Sequence, residues 1–162
     1  MTYREFLESK IELATDSGFE VDKSRINKAL KPHQSDAVAW ALKGGRRALF
    51  ESFGLGKTAQ EIEFCHLAAE HTGGRALIVL PLGVKQEFTR DAVELLGYEK
   101  PEYCRTMEEV EASTSQIVLT NYERVRDGDI DPSYFTATSL VESLWKNLVS
   151  ACPVSITSRY PA

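Results

Sequence analysis

The sequence predicts an α/β domain built on a doubly wound, mainly parallel sheet. The continuous apolar run at 76–81 and the segment 116–120, whose centre at 117–119 is apolar, are typical of strands that are buried on both faces. Helical patterns alternate with these runs, and such alternation produces parallel strands joined by right-handed crossovers. A shorter apolar run at 48–50 leads into a glycine-bearing turn. Because such sheets bind ligands at the carboxyl ends of their strands, this turn is the first candidate site.

Apolar spacing and stop signals define the elements of the first half. Residues 3–15 have an amphipathic helical pattern that Ser17-Gly18 ends. Residues 19–29 are mixed and charged, which predicts a loop with a short helix or turn. Pro32 suits the first turn of the next helix, which runs to position 42 and closes at Gly44-Gly45.

The second half repeats the alternation. A helix is predicted at 58–71, ended by the glycines at 73 and 74, and another at 83–97, ended by Gly97. Residues 98–105 allow a short strand, and the acidic segment 102–111 has helical tendency. The strand at 116–120 follows, and residues 127–132 have the composition of a loop.

Composition places the chain among ordinary globular proteins. It has 162 residues, 43% hydrophobic and 27% charged, with a net charge of −5. No basic stripe predicts a global attraction to nucleic acid, and no apolar run approaches membrane-spanning length. The widely spaced cysteines favour reduced thiols in a cytosolic setting over a disulfide framework or zinc site: Cys65, Cys104 and Cys152. The histidines lack partners at metal spacing and are interpreted as structural or solvated: His33, His66 and His71.

Residues 48–60 have the layout of a phosphate-binding loop between a strand and a helix. Gly54 and Gly56 would let backbone N–H groups approach phosphate oxygens where a Cβ would obstruct them. Lys57 would place its ammonium on the β- and γ-phosphates, and the Thr58 hydroxyl would hold Mg²⁺. The general pattern has glycine at position 51, where this chain has Glu51.

Four segments in order together resemble the first RecA-like lobe of a superfamily-two helicase, closest to the Swi/Snf-like group and its phage relatives. In that group the loop reads Asp-Glu-x-Gly-Leu-Gly-Lys-Thr-x-Gln, so an acidic residue at its start is normal. The resemblance therefore implies a P-loop NTPase fold. The matching segments are the phosphate loop 51–60, the adenine-sensing Gln motif at 30–34, motif Ia at 76–82 and motif Ib at 117–123.

The resemblance implies a role for each matched residue. Gln34 would read adenine, and the loop would hold ATP with Mg²⁺ through Glu51, Ser52, Phe53, Gly54, Leu55, Gly56, Lys57 and Thr58. A strand of DNA, or RNA, would lie near Pro81, Lys85, Thr120 and Asn121, contacted largely through its phosphates. For these last four residues, ordinary strand-end chemistry is an equal alternative.

The Asp-Glu pair that the family needs at the end of a later strand is absent from this sequence. The segment 138–143 stands in its place, with Val141 where the Mg²⁺-binding Asp is expected and Glu142 where the water-orienting Glu is expected. The composition also changes after Phe135. We therefore expect three regions, a helical extension (1–29), a partial ATP-binding lobe (30–136) and a divergent tail (137–162), and a truncated, frame-shifted or internally deleted product.

Two functions from different classes follow. The first is the ATP-binding lobe of a helicase or translocase that hydrolyses ATP poorly or not at all, with Lys57 and Glu142 as its candidate catalytic residues. The second is a non-catalytic nucleotide- or nucleic-acid-binding module that regulates a full-length helicase or docks a second lobe in trans. A small P-loop kinase is less favoured, because an arginine-bearing lid and an Asp after the second strand are missing.

Overall fold

The computed structural model describes Thr2 and residues 16–49, 54–141 and 157–158. Within these residues the strands form one sheet in the order β2-β3-β1-β4-β5. The strands are β1 (Ala76–Val79), β2 (Glu102–Tyr103), β3 (Ile117–Thr120), β4 (Ala137–Leu140) and β5 (Thr157–Ser158). Strands β1 to β4 are mutually parallel, and β5 runs antiparallel to β4. The α/β architecture with a mainly parallel sheet is therefore confirmed.

Helices connect these strands and pack against the sheet. The α-helices are α1 (Pro32–Gly44), α2 (Lys57–Thr72), α3 (Lys85–Arg90), α4 (Met107–Ala112) and α5 (Tyr122–Arg126). Helix α2 contacts α1, β1 and β4. None of the described helices is long and apolar enough to cross a membrane.

The centre of the sheet is buried on both faces, as the apolar run at 76–81 predicts. All four residues of β1 are buried, and so are all four of β3. Alternate side chains of a strand point to opposite faces. Ile78 accordingly belongs to the larger core cluster, with Ile62 and Phe64 of α2, whereas Leu77 belongs to a second cluster with Val118.

Helix α2 has the orientation that a phosphate-binding helix requires. It ends at Thr72, a few residues before β1 begins at Ala76, so it runs antiparallel to the strands it covers. Its amino terminus therefore points to the carboxyl edge of the sheet. At the other end of the helix, the hydroxyl groups of Thr72 and Thr136 are hydrogen-bonded to each other (2.8 Å), which ties α2 to the start of β4.

The strand predicted at 48–50 is wrong for Ala48 and Leu49, which belong to no strand, and Phe50 lies outside the described residues. So short an apolar run gives few ladder hydrogen bonds, and a strand needs a neighbour to pair with. The segment 138–141 is the stretch that could fill the open side of such a strand. Strand β4 pairs instead with β1, with Ala76 opposite Ala137 and Val79 opposite Leu140.

The helix predicted at 83–97 is present but not uniform. A 3₁₀ turn (Leu82–Val84) leads into α3, and a π-helical turn (Asp91–Leu95) ends at Gly97 in a left-handed conformation (φ 71°). The acidic segment 102–111 divides into β2 and α4, because Thr106 accepts a hydrogen bond from the Glu109 N–H (3.3 Å) and starts a helix there. The predicted helix at 3–15 lies outside the described residues.

Candidate functional site

The described part of the predicted phosphate loop has the backbone that such a loop needs. Gly54 and Gly56 both adopt positive φ angles, 85° and 76°, which side chains with a Cβ rarely adopt. Gly56 is the residue immediately before α2, and Lys57 is the first residue of that helix. The first N–H groups of α2 therefore face the carboxyl edge of the sheet, where they can bind an anion.

Gln34 joins α1 to this loop. Its Oε1 accepts a hydrogen bond from the Lys31 N–H, and its Nε2 donates to the Leu55 carbonyl, both at 2.8 Å. The side chain is buried, with 8% of its surface exposed. Gln34 thus lies beside the loop, where its amide group contacts the loop backbone. That Gln34 also reads adenine stays a prediction.

Gly56 is required by its neighbour as well as by its backbone conformation. A Cβ at this position would lie 2.3 Å from Gln34 Nε2, too close for any real contact. The same atom added at Gly54 would meet no atom of the described residues within 4 Å. The close approach of α1 to the loop therefore depends on glycine at position 56, and at position 54 only the backbone conformation favours glycine.

Lys57 and Thr58 lie in the first turn of α2, and both side chains are half-buried. Their position lets an ammonium and a hydroxyl approach the same bound anion. Glu51, Ser52 and Phe53 lie outside the described residues, as does Glu142. No group of three His, Cys, Asp or Glu side chains within the described ranges could hold a metal ion.

A buried carboxyl group near the loop was missed by sequence reasoning. Glu61, one helical turn after Lys57, is 4% exposed, and its Oε2 has no hydrogen-bond partner. Burial raises its pKa to about 8, while the charge of Lys57 acts in the opposite direction. The only sign in the sequence is that Glu61 directly precedes Ile62. An acidic residue on a helix is usually exposed to solvent, so this position does not predict a buried carboxyl group.

The second predicted group lies at the carboxyl ends of β1 and β3. Because Val79 pairs with Thr120, Pro81 and Asn121 come to the same edge of the sheet. Thr120 is fully buried and its hydroxyl donates to the Cys104 carbonyl (2.9 Å). Asn121 is buried and caps α5, its Oδ1 accepting from the Arg124 N–H (3.4 Å). Both side chains therefore hold the edge together.

Lys85 and Pro81 are the more accessible members of this group. Pro81 precedes the 3₁₀ turn that leads into α3, and Lys85 is the first residue of α3. Both are half-buried. The contact of Pro81, Lys85, Thr120 and Asn121 with nucleic acid stays a prediction.

Val141 lies where the sequence alignment places the missing carboxylate. It immediately follows β4, and its N–H donates to the Val79 carbonyl (2.8 Å), so it continues the ladder toward the carboxyl edge. Its side chain packs against the larger core cluster. An apolar side chain thus occupies the end of the strand beside β1.

Of the three histidines, His33 is exposed, whereas His66 and His71 each stack on an aromatic ring. His66 stacks on Tyr98 with centroids 3.8 Å apart, and His71 stacks on Phe19 at 3.7 Å. His66 and Tyr98 also line a cavity of about 320 Å³ near the start of β3, at the edge of the sheet opposite the loop. These contacts are consistent with a structural role.

The fold is similar to that of a known helicase. Two crystal structures of the UvsW helicase from bacteriophage T4 match 86% of this chain with a TM-score of 0.58 and 17% sequence identity. The chain spans 50% of the length of one of these structures and 28% of the other. At this identity the likeness shows the fold, a RecA-like helicase fold. No protein-family model matches the sequence. No curated protein matches it either.

Proposed function

We propose that this chain is the ATP-binding lobe of a DNA helicase or translocase, which binds ATP with Mg²⁺ but hydrolyses it poorly or not at all. The observation that carries the proposal is the geometry of the loop before α2. Two left-handed glycines precede a helix whose amino terminus faces the carboxyl edge of the sheet, and Gln34 holds the loop against α1. The likeness to the RecA-like fold of UvsW supports it.

The described residues fit a nucleoside triphosphate. No described residue has an atom within 4 Å of a Cβ position at Gly54, so on that side phosphate oxygens can approach the backbone. The N–H groups that start α2 and the ammonium of Lys57 would bind the phosphates, and the Thr58 hydroxyl would hold Mg²⁺. The bound cation supplies charge neutralisation to the phosphates.

Weak hydrolysis follows from the position of Val141. In the helicase family that the chain resembles, an Asp at a strand end helps to hold Mg²⁺, and the residue at the end of β4, beside β1, is the apolar, partly buried Val141. In phosphoryl transfer the protein contributes positioning and electrostatic stabilisation, so the loss of a carboxylate removes much of what it supplies. Binding through the loop does not depend on that residue.

The nucleic-acid partner of this lobe would lie along the carboxyl edge of β1 and β3. Pro81 and Lys85 are accessible there, while Thr120 and Asn121 shape the edge from beneath. The chain is acidic overall, so affinity would come from a few local cations. DNA is the partner we propose.

Calorimetric titration with ATP and Mg²⁺ tests nucleotide binding. We expect wild type to bind and Lys57→Ala to lose binding, because the ammonium that would meet the β- and γ-phosphates is removed. Lys100→Ala, at an exposed lysine outside the loop, is the matched control and should bind as wild type does. Unchanged affinity in Lys57→Ala would contradict the proposal.

A phosphate-release assay on the same samples tests the second half of the proposal. We expect release no faster than in the Lys57→Ala control. Turnover within the usual enzyme range, roughly 1 per second or more, would show that an apolar residue at position 141 does not prevent ATP hydrolysis.

A regulatory module that acts with a full-length helicase is the second candidate. The same observation favours it, since a lobe that holds ATP without hydrolysing it can still dock a partner. It predicts a stable folded monomer that binds a second RecA-like lobe supplied in trans. Size-exclusion chromatography of the mixture would detect the complex, and separate elution of the two proteins would contradict this function.

A further inference from the structure

Tyr103 lies outside all four matched motifs but contacts a residue of the proposed nucleic-acid edge. The ammonium of Lys85 lies over its ring, 4.8 Å from the ring centroid. This is within the distance at which a cation is attracted to the face of an aromatic ring. Both side chains are half-buried.

The contact crosses the end of β3. Lys85 follows β1, Tyr103 is the last residue of β2, and β3 lies between these two strands in the sheet. Lys85 must therefore extend over the carboxyl end of β3, where Thr120 and Asn121 are buried. The ring fixes the ammonium above that strand end.

Lys85 differs from nearby arginines because its charge is not paired with an aspartate among the described residues. Three arginines there each form an ion pair with a nearby aspartate: Arg90 with Asp91, Arg124 with Asp129 and Arg126 with Asp127. Among the described residues Lys85 has no such carboxylate partner. An aromatic ring orients a cation without neutralising it, so the full charge of Lys85 stays available to an anion.

Arg124 is a second cation in the neighbourhood of Tyr103. The ion pair with Asp129 is the main cause of the raised pKa of Arg124, and the nearby Tyr103 contributes in the same direction. Arg124 also has a buried Nε without a hydrogen-bond partner.

We propose that Tyr103 is a positioning residue that holds the Lys85 ammonium for a phosphodiester group of a single-stranded nucleic acid. The inference rests on the proposed function, because it needs a strand at the carboxyl edge of the sheet. It adds that recognition at this point is electrostatic and independent of sequence, with the backbone phosphate as the group that is bound.

Fluorescence anisotropy with labelled oligodeoxythymidylate, and with oligouridylate as the RNA arm, tests the inference over a series of salt concentrations. Tyr103→Leu removes the ring, Tyr103→Phe keeps it, and Lys85→Met removes the charge. Each phosphate contact adds about 0.7 to the slope of log affinity against log salt for single strands, so Lys85→Met should lower that slope by about 0.7. Tyr103→Leu should weaken binding about two- to five-fold, and Tyr103→Phe should bind as wild type does.

The Lys85→Met background separates positioning from a general effect on folding. There we expect Tyr103→Leu to have no further effect on affinity, because there is no ammonium left to hold. The inference is overturned if Tyr103→Leu binds as tightly as wild type, or if it weakens binding equally in both backgrounds. A loss of affinity in Lys85→Met with none in Tyr103→Leu would overturn the inference alone and leave the proposed function standing.

ATP titrations of the same variants give an independent readout. Tyr103→Leu and Lys85→Met should bind ATP as wild type does, because neither residue belongs to the phosphate loop. Reduced ATP affinity in both variants would indicate that the Lys85 ammonium binds the nucleotide, and this would overturn the inference. If wild type binds ATP but neither oligonucleotide, the nucleic-acid part of the proposed function fails, and this inference fails with it.

Discussion

Glu61 shows how one buried carboxyl group makes stability depend on pH. Its pKa is raised from 4.5 to about 8, mainly because burial disfavours the charged form. The folded chain therefore binds this proton more tightly than the unfolded chain does. The contribution of Glu61 to the free energy of unfolding is fully present below pH 4.5 and is lost as the pH rises toward 8.

Glu61→Gln tests this at the residue scale. The amide resembles the protonated acid but cannot ionise, so the variant should match wild type near pH 5 and be more stable near pH 8. A tenfold difference in proton affinity corresponds to about 1.4 kcal/mol, so a difference of a few kcal/mol is the expected order. The free energy of unfolding, measured with urea from pH 5 to pH 8, gives the comparison.

Glu111→Gln is the matched control, since Glu111 is exposed and lies on a helix. It should show no such divergence from wild type. Parallel curves for wild type and Glu61→Gln at all pH values would mean that Glu61 is ionised in the folded chain.

At the scale of one element, the start of α2 depends on two glycines for different reasons. Gly54 and Gly56 share a left-handed backbone, but only a Cβ at Gly56 would collide with Gln34. The collision is costly because the Gln34 amide is held by hydrogen bonds at both ends. The loop and α1 therefore act as one unit.

Gly54→Ala and Gly56→Ala separate the two effects. Each should cost about 1 kcal/mol or more for the left-handed backbone. Gly56→Ala should cost about 1 kcal/mol beyond that, because the hydrogen bond from Gln34 to Leu55 is displaced. Urea unfolding of both variants measures the difference, and equal losses would show that Gln34 moves aside freely.

At the scale of the whole molecule, Glu63 joins three distant segments. This fully buried carboxylate of α2 accepts hydrogen bonds from the Asn27 N–H (2.8 Å) and from the Tyr98 hydroxyl. Asn27 in turn donates its side-chain amide to the Leu96 carbonyl (2.8 Å). The segment before α1, the helix α2 and the turn after the π-helical residues are thus held by one network.

A double-mutant cycle of Glu63→Ala and Tyr98→Phe measures this connection. Tyr98→Phe alone should cost roughly 1.5–3 kcal/mol, because a hydrogen bond to a charged group is lost. In the Glu63→Ala background the same change should cost much less, giving a coupling energy of about 1 kcal/mol or more. Tyr134→Phe, at an exposed tyrosine, should change little in either background. Additive losses would contradict the network.

The sequence by itself determined the parts of this protein whose signals are local. The segments at 76–81 and 116–120 predict β1 and β3 because a strand buried on both faces is apolar at nearly every position. The glycines before Lys57 mark a loop whose backbone a ligand can approach closely, and both adopt positive φ angles, which few other residues adopt. Gln34 was singled out through the resemblance to a family motif.

The tertiary structure decided the contacts between residues that are distant in the chain. Local pattern placed the short run at 48–50 in the sheet, yet the two neighbours of β1 are β3 and β4, because strand pairing depends on which strand edges are free. Likewise no pattern connects Lys85 to Tyr103, or shows that Glu61 is buried. Such contacts arise from the order of the strands and the packing of helices over them, and neither has a local signature.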